Sequence, residues 1–145
     1  MRKSVALVEK TAIDLCVVDT GNLRGSLRRE TKRSPGVITG AVKTNVQYAP
    51  YVEFGTGRVG KQSPSPPKAP GITRYRMTPW VYSYEGKIEG EGGEVEDGTL
   101  FCTTNGQPAR PFLYPALTGN KENIQNIFRL AYEKAIRAKG GGDDA

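Results

Sequence analysis

A proline-rich segment near the middle of the chain most restricts how the chain can fold. Residues 58–79 contain five prolines and several basic residues but almost no aliphatic side chain. A loop of this length is unusual inside a compact domain and is typically functional or unstructured. Because prolines keep it extended, it loses little entropy on docking, and we expect an arm that contacts a neighbouring chain. The residues expected to make that contact are Arg58, Lys61, Pro64, Pro66, Pro67, Lys68, Arg74, Tyr75, Arg76 and Trp80.

The N-terminal part of the chain predicts two helices. Apolar residues recur at helical spacing over about residues 3–17, which predicts the first helix. Asp19 or Thr20 can cap a second helix, because a side-chain oxygen there accepts a hydrogen bond from a free backbone N–H. Leu23 and Leu27, four residues apart, would form the apolar stripe of that second helix.

Basic residues accompany the second helix and continue beyond it. Their positions are Arg24, Arg28, Arg29, Lys32 and Arg33. Arg24 and Arg28 share a spacing of four, which places them on one helical face. Two interpretations stay open: a solvated basic face, or a patch for an acidic partner ring or for DNA. The net charge of +6 is compatible with attraction to either kind of partner.

The segment after these basic residues predicts a strand and then a short helix. Ser34-Pro35-Gly36 breaks the chain, and apolar residues alternate from Val37 to Tyr48 as in a strand. Gly40 inside that strand indicates a bulge or the close approach of another backbone. Pro50 suits the first position of a short helix, and Gly55 suits its exit.

The second half of the chain predicts a hairpin and a final helix. Two β-prone runs, residues 80–84 and 99–104, flank a Gly- and Glu-rich turn region and predict a long hairpin over residues 80–104. A helix is expected over about residues 120–138. Its apolar stripe would consist of Ile124, Ile127, Phe128, Ala131 and Ala135.

These elements predict an α+β fold with an antiparallel sheet, long hairpin and loop arms, and N-terminal and C-terminal helices packed on the sheet. The length of 145 residues fits one domain, which we place at residues 1–139, with 140–145 as a flexible tail. Hydrophobic residues make up only 37% of the chain. This is lean for a globular domain, so burial against neighbouring subunits would add stability.

The residue types restrict the chemistry that the chain can perform. It contains no histidine, which removes Ser-His and Cys-His pairs, the commonest general acid–base group and most zinc sites. Glu53, between Val52 and Phe54, is the one candidate for carboxylate catalysis. The alternative interpretation is that Glu53 caps a helix or pairs with an arginine such as Arg110. We therefore expect no enzyme and no catalytic, cofactor-binding or metal-binding residues.

Three further signals point to a structural protein without a membrane anchor. The two cysteines, Cys16 and Cys102, are expected to be isolated thiols rather than a disulfide. No signal peptide or membrane-length apolar run is present, so we expect no membrane partner. The pattern Gly55-x-Gly57-x-x-Gly60 imitates a dinucleotide-binding loop. It follows a turn that begins with proline, whereas a true site needs a preceding strand, so Gly57 is taken as a second exit glycine of the short helix.

Three segments together resemble one known family. Residues 19–27 resemble a D-T-G-x-L-R-x-S stretch that follows the family's first helix. Residues 48–57 resemble its Y-A-x-Y-V-E-F-G-T signature, and residues 108–117 resemble its P-A-R-P-F-L-x-P-A signature. The family is the gene-ten-like head–tail connector or tail-completion proteins of long-tailed phages and prophages. The motif positions are Thr20, Gly21, Leu23, Arg24, Ser26, Tyr48, Ala49, Tyr51, Glu53, Phe54, Gly55, Thr56, Pro108, Ala109, Arg110, Pro111, Phe112, Pro115 and Ala116.

The resemblance implies a structural subunit of the phage neck or proximal tail, without enzymatic activity. It implies a ring of six copies that joins the tail to the DNA-filled head. The partners would be the other copies, neighbouring neck and tail proteins (stopper or adaptor, tail terminator, tail tube), and DNA in the lumen. The protein would reside in the virion after assembly in the host bacterial cytoplasm. Two alternatives stay open: a tail terminator or stopper ring subunit, and a basic nucleic-acid-binding module.

Overall fold

The computed structural model describes residues 1–68, 71–72, 74–84, 94–96 and 99–140. Helices and two small antiparallel sheets are both present, which confirms the predicted α+β fold class. In chain order the elements are α1 (Arg2–Leu15), α2 (Asn22–Ser26), β1 (Arg28–Ser34), β2 (Val37–Lys43), α3 (Ala49–Phe54), α4 (Gly57–Gln62), β3 (Trp80–Tyr84), β4 (Glu94–Glu96), β5 (Thr99–Thr104), α5 (Leu113–Thr118) and α6 (Lys121–Gly140).

The chain divides into two compact units. Unit 1 comprises Met1–Ala49 and Pro111–Ala145, and unit 2 comprises Pro50–Arg110. The assignment of residues 1–139 to a single domain stays a prediction. Of the predicted flexible tail, Gly140 ends α6, and residues 141–145 lie outside the described residues.

In unit 1, α1 forms because its apolar residues lie on one helical face. Val5, Val8 and Ala12 are spaced by three and four, and all three are buried. The helix ends where Cys16 adopts an extended conformation and its N–H donates to the carbonyl of Ala12 at 2.9 Å. The first helix thus covers nearly the range that the spacing predicts.

The helix α2 is short, and its start differs from the predicted cap. Gly21 is the N-cap, in the left-handed conformation, and no side chain caps the helix. The Thr20 hydroxyl instead accepts a hydrogen bond from the Asn22 N–H at 3.4 Å. Leu23 and Leu27 are both buried, as their spacing predicts, although Leu27 lies just beyond the helix end.

A hairpin of β1 and β2 replaces the helical basic face that the sequence suggests. The two strands pair antiparallel from Arg28 opposite Lys43 to Ser34 opposite Val37. Pro35 and Gly36 form the two-residue turn, and Gly36 supplies a positive φ of 72° at the second turn position, as in type II turns that begin with proline. The strand predicted from Val37 to Tyr48 therefore ends early, at Lys43.

Gly40 marks a close approach, but not the one expected. The pairing of β1 with β2 runs through Gly40 without a bulge. A Cβ at this position would overlap the side chains of Val5 and Met1, so the approaching group is α1 rather than another backbone. The glycine lets α1 lie directly on the hairpin.

The C-terminal part of unit 1 contains two helices where the sequence predicts one. Phe112 and Ala116, at and within α5, are both 0% exposed. The α6 helix, described along its whole length, buries none of its side chains. The predicted stripe on α6 is therefore only partly covered: Ile124 and Ile127 are half-buried, and Phe128 is 42% exposed.

Asn120 joins α5, α6 and α1 through one buried side chain. Its amide nitrogen donates to the Thr11 hydroxyl at 2.9 Å and to the Ala116 carbonyl at 2.8 Å. Replacing Asn120 with alanine is expected to lower the free energy of unfolding by about 1–3 kcal/mol, because buried hydrogen-bond groups lose their partner. Urea unfolding measures this loss. Asn126→Ala, at an exposed position of α6, should change it by less than about 0.5 kcal/mol. Equal losses in the two variants would show that the hydrogen bonds of Asn120 do not stabilise the fold.

In unit 2, the predicted hairpin belongs to a three-stranded sheet. The strand order is β3-β5-β4, with Trp80 opposite Thr104 and Glu94 opposite Phe101. The predicted pairing of residues 80–84 with 99–104 is confirmed. The predicted turn region 85–98 contributes β4 to the other edge of β5, and its remaining residues lie outside the described part of the chain.

The segment before this sheet contains two short helices. The helix that the sequence starts at Pro50 is α3, and it ends before Gly55 as predicted. Gly57 does not close that helix, because it begins α4. The predicted arm at 58–79 therefore starts with a helix, and α4 is followed by irregular backbone in the described residues up to β3.

Candidate functional site

The second and third motifs meet in unit 2 through backbone hydrogen bonds. The Thr56 N–H donates to the Gln107 carbonyl at 2.9 Å, and the Gln107 N–H donates to the Thr56 carbonyl at 3.2 Å. The Arg110 N–H donates to the Val52 carbonyl at 2.7 Å. The Gln107 side chain also donates to the Tyr51 carbonyl at 3.0 Å. Two segments about fifty residues apart in sequence are thus held as one paired structure.

Glycine makes this close pairing possible. Gly55 has a φ of 73°, and a Cβ added there would lie 2.7 Å from the Ala109 nitrogen, the Gln107 oxygen and the Gly60 Cα. Only glycine combines the left-handed backbone with this lack of space. The space above the Gly55-x-Gly57-x-x-Gly60 pattern is filled by the protein's own backbone, and a helix rather than a strand precedes it. The pattern is therefore a packing device and not a phosphate-binding loop.

The remaining residues of the second motif take different positions. Glu53 is only 5% exposed, so its carboxylate lies inside the protein rather than on a surface open to a substrate. Phe54 is half-buried, and its carbonyl accepts a hydrogen bond from the Tyr75 hydroxyl at 2.8 Å. Tyr48 and Tyr51 are exposed. Phe112 of the third motif, by contrast, is fully buried.

In the proline-rich arm, cations lie over two half-buried aromatic rings, and the charged side chains are exposed. The Lys68 ammonium lies 4.5 Å from the centre of the Tyr75 ring, and the Arg76 guanidinium lies 5.2 Å from that of Trp80. Pro66 is buried, and Tyr75 and Trp80 are half-buried. The other predicted contact residues are exposed: Arg58, Lys61, Pro64, Pro67, Lys68, Arg74 and Arg76. Their contacts with a neighbouring subunit stay predictions.

The first motif forms the entry to the β1–β2 hairpin. The Ser26 hydroxyl donates to the Leu23 carbonyl at 2.7 Å and lies 2.6 Å from the Thr44 hydroxyl, just beyond β2. This bond ties the end of α2 to the end of the hairpin. Sequence reasoning missed it, because the hairpin has too many polar residues to show an alternating pattern on both strands.

The predicted basic patch is divided by the hairpin. Along β1, Arg28 and Lys32 project to one face, whereas Arg29 and Arg33 project to the other, because strand side chains alternate. Arg29 pairs with Glu9 of α1 at 3.0 Å. The five predicted basic residues thus do not form one continuous surface.

One acidic side chain lies among these cations. The Lys43 ammonium, 2.8 Å from Glu30, lowers the pKa of the Glu30 carboxyl below its usual value. Nearby Lys32, 3.9 Å away, adds to this effect. The carboxylate therefore stays charged at neutral pH and offsets part of the positive charge of the hairpin.

In the described part of the chain, no group of three or more His, Cys, Asp or Glu side chains is placed to hold a metal ion. Cys16 is buried, and Cys102 is half-buried in β5; both are thiols. Among the same residues, no helix has the length and apolar character needed to cross a membrane.

Comparison with protein families supports the resemblance. Residues 1–55 match the model of the family described as "Bacteriophage HK97-gp10, putative tail-component". The matched part runs from α1 to Gly55, inside the second motif, and includes the first motif and the hairpin. This match confirms the similarity to phage tail components that the motifs predict. Comparisons with curated proteins and with solved structures gave no match.

Proposed function

We propose that this protein is a structural subunit of the phage neck or proximal tail. In this role it forms a ring, of six copies, that joins the tail to the DNA-filled head. The observation that carries the proposal is the match of residues 1–55 to a family of phage tail components. The third motif, which lies outside that match, adds to it, because its residues bond directly to those of the second.

The use of the motif residues supports a structural role. Gly55, Thr56, Ala109 and Arg110 hold one stretch of backbone against another. Phe112 and Ala116 fill the core of unit 1. Residues that would bind a substrate should instead present polar groups to a cleft. The most distinctive residues of this sequence are thus occupied with building a rigid scaffold.

The partners follow from the same proposal. They are the other copies in the ring, the adjoining stopper or adaptor, tail terminator and tail tube, and DNA that passes through the lumen. The protein acts in the virion after assembly in the host cytoplasm. A tail terminator or stopper ring is the alternative within this class. A nucleic-acid-binding module has less support, because the basic residues lie on both faces of β1.

Native mass spectrometry of the purified chain, alone and mixed with tails or DNA-filled heads, tests the proposed function. We expect a ring-sized mass, or association with one of the two partners. Association with tails alone or with heads alone identifies the side of the neck that the subunit serves. A chain that stays monomeric under all three conditions contradicts the proposal.

The same samples distinguish the nucleic-acid alternative. Binding that rests on phosphate contacts falls steeply with salt, because each contact releases counterions. A nucleic-acid-binding module would be favoured by two results together. The affinity for duplex DNA would drop by about a thousandfold between 50 and 200 mM salt, and the chain would bind neither tails nor heads. Joining of heads and tails that persists over this salt range supports the structural role.

A further inference from the structure

Five exposed cations of unit 2 lie in a stretch of sequence without any carboxylate. Residues 54–84 contain five basic residues and no acidic one. All five are exposed, and in the described part of the chain none of them forms an ion pair. The β1–β2 hairpin differs in this respect, because Arg29 pairs with Glu9 and Lys43 pairs with Glu30. The five side chains, termed the basic patch, are Arg58, Lys61, Lys68, Arg74 and Arg76.

Tyr75 holds one part of the basic patch near the end of α3. Its hydroxyl donates to the Phe54 carbonyl, at the last residue of α3, over 2.8 Å. The Lys68 ammonium lies 4.5 Å from the centre of the Tyr75 ring. Arg74 and Arg76 are the neighbours of Tyr75 in sequence. Three cations of the patch are therefore positioned by one aromatic residue.

Trp80 connects these cations to α4. Its ring lies against Gly57, since a Cβ added at Gly57 would lie 2.9 Å from an atom of that ring. The Arg76 guanidinium lies 5.2 Å from the centre of the same ring. Arg58 follows Gly57 directly, and Lys61 lies about one helical turn further along α4. The five cations thus belong to one region around the ends of α3 and α4.

This region lies at one end of the three-stranded sheet. Trp80 begins β3 and is opposite Thr104, the last residue of β5. Gly57, which the Trp80 ring contacts, lies against Asn105, because a Cβ at Gly57 would overlap the Asn105 carbonyl. Asn105 comes directly after β5. The basic patch is therefore placed at the Thr104 end of β5.

The acidic residues of unit 2 are concentrated in the segment that joins β3 to β5. Residues 85–97, termed the acidic segment, contain six carboxylates and one lysine. No other stretch of the sequence concentrates carboxylates to this degree. The acidic residues are Glu85, Glu89, Glu91, Glu94, Glu96 and Asp97. Unit 2 thus carries most of its positive and negative charges in two consecutive segments.

The acidic segment joins the sheet away from the basic patch. It follows Tyr84, which is opposite Leu100, and its strand β4 begins with Glu94 opposite Phe101. Phe101 lies three residues before Thr104, which corresponds to roughly 10 Å along β5. Because β3 and β4 flank β5, two strand spacings add roughly 10 Å across the sheet. The start of β4 is therefore roughly 14 Å from the start of β3.

We propose that the basic patch of one copy binds the acidic segment of the next copy in the ring. This inference rests on the proposed function, since it assumes that copies assemble. Ion pairs need a separation of about 4 Å, which is far shorter than the distance between β4 and the start of β3 within one chain. A contact between two different surfaces of the same chain propagates around a ring, whereas a self-complementary face stops at a dimer.

The charge distribution of unit 2 favours a second copy over nucleic acid as the occupant. A phosphate backbone carries only negative charge, so the basic patch attracts it and the acidic segment of the same unit repels it. A second copy presents the opposite sign to both segments. Complementary charges of this kind also fix the orientation in which two proteins meet.

Two charge-reversal variants and their combination test this contact. Arg58→Glu/Arg74→Glu reverses part of the basic patch, and Glu94→Lys/Glu96→Lys reverses part of the acidic segment. Each variant alone should self-associate at least about tenfold more weakly than the natural chain, because like charges then face each other. An equal mixture of the two variants, or one chain with all four substitutions, restores opposite charges and should recover assembly. Native mass spectrometry measures assembly under the conditions in which the natural chain assembles.

Arg33→Glu/Lys134→Glu is the matched control for the reversal of the patch. It makes the same change in net charge at two exposed cations of unit 1, and it should leave assembly unchanged. An equal loss of assembly in this control would assign the effect to net charge alone and overturn the contact.

Two further results overturn the contact but leave the proposed function standing. In the first, both charge-reversal variants assemble like the natural chain, and Arg58→Glu/Arg74→Glu loses binding to duplex DNA, which assigns the patch to nucleic acid. In the second, the variants assemble normally but each unfolds at lower urea concentration, and the chain with all four substitutions recovers, which places the pairing within one chain. A natural chain that stays monomeric alone and with tails and heads removes the proposed function and, with it, this contact.

Discussion

Replacing Gly55 with alanine is expected to lower the free energy of unfolding by about 2–5 kcal/mol. The left-handed backbone, with a φ of 73°, costs a non-glycine residue about 1–2 kcal/mol. The added Cβ would also lie 2.7 Å from three backbone atoms, of Ala109, Gln107 and Gly60. Overpacking of this kind costs a further 1–3 kcal/mol or so. Urea unfolding followed by circular dichroism measures the sum.

Gly36→Ala is the matched control for this substitution. Gly36 has nearly the same φ, 72°, but nothing lies within 4 Å of a Cβ added there. This variant should lose only the conformational part, about 1–2 kcal/mol. If both variants lose the same amount, the close backbone approach does not determine the use of glycine in the second motif. A larger loss at Gly55 assigns the difference to the pairing of residues 52–56 with 107–110.

Replacing Phe112 with alanine is expected to lower the free energy of unfolding by about 3–5 kcal/mol. The ring is 0% exposed and lies at the start of α5, so its removal leaves a cavity as well as losing buried apolar area. Urea unfolding at a concentration where the chain does not self-associate gives the value.

Phe128→Ala is the matched control for Phe112→Ala. Phe128 is 42% exposed on α6, so its removal should cost only about 1 kcal/mol of stability in the dissociated chain. Equal losses of stability in Phe112→Ala and Phe128→Ala would contradict the division between a buried core aromatic and an exposed aromatic of α6.

The third motif connects the two units within one short stretch. Residues 108–110 belong to unit 2, where they bond to α3 and α4 and the residues near them, and Pro111 begins the return to unit 1. Ala109 receives support from the Ser63 hydroxyl, which accepts its N–H at 2.8 Å. The small, rigid and aromatic residues of this motif thus pack in unit 2 up to Arg110 and in unit 1 from Pro111 onward.

Local pattern alone determined several parts of this protein. The helical spacing of Val5, Val8 and Ala12 predicted α1, and two β-prone runs predicted the pairing of β3 with β5. Pro50 and Gly55 marked the ends of α3. In each case the signal lies within a few residues, since it depends on periodicity or on backbone preferences that act locally. The three motifs also predicted the family resemblance.

Other parts were decided only by contacts between distant segments. β1 consists entirely of polar residues, so it shows no apolar alternation and becomes a strand only because β2 pairs with it. The space around Gly55 is filled by residues about fifty positions away, which no local pattern records. The apolar stripe of α6 was visible in the sequence, but its exposure was not. Periodicity determines which residues share a face, whereas the packing of the other elements decides whether that face is buried or exposed.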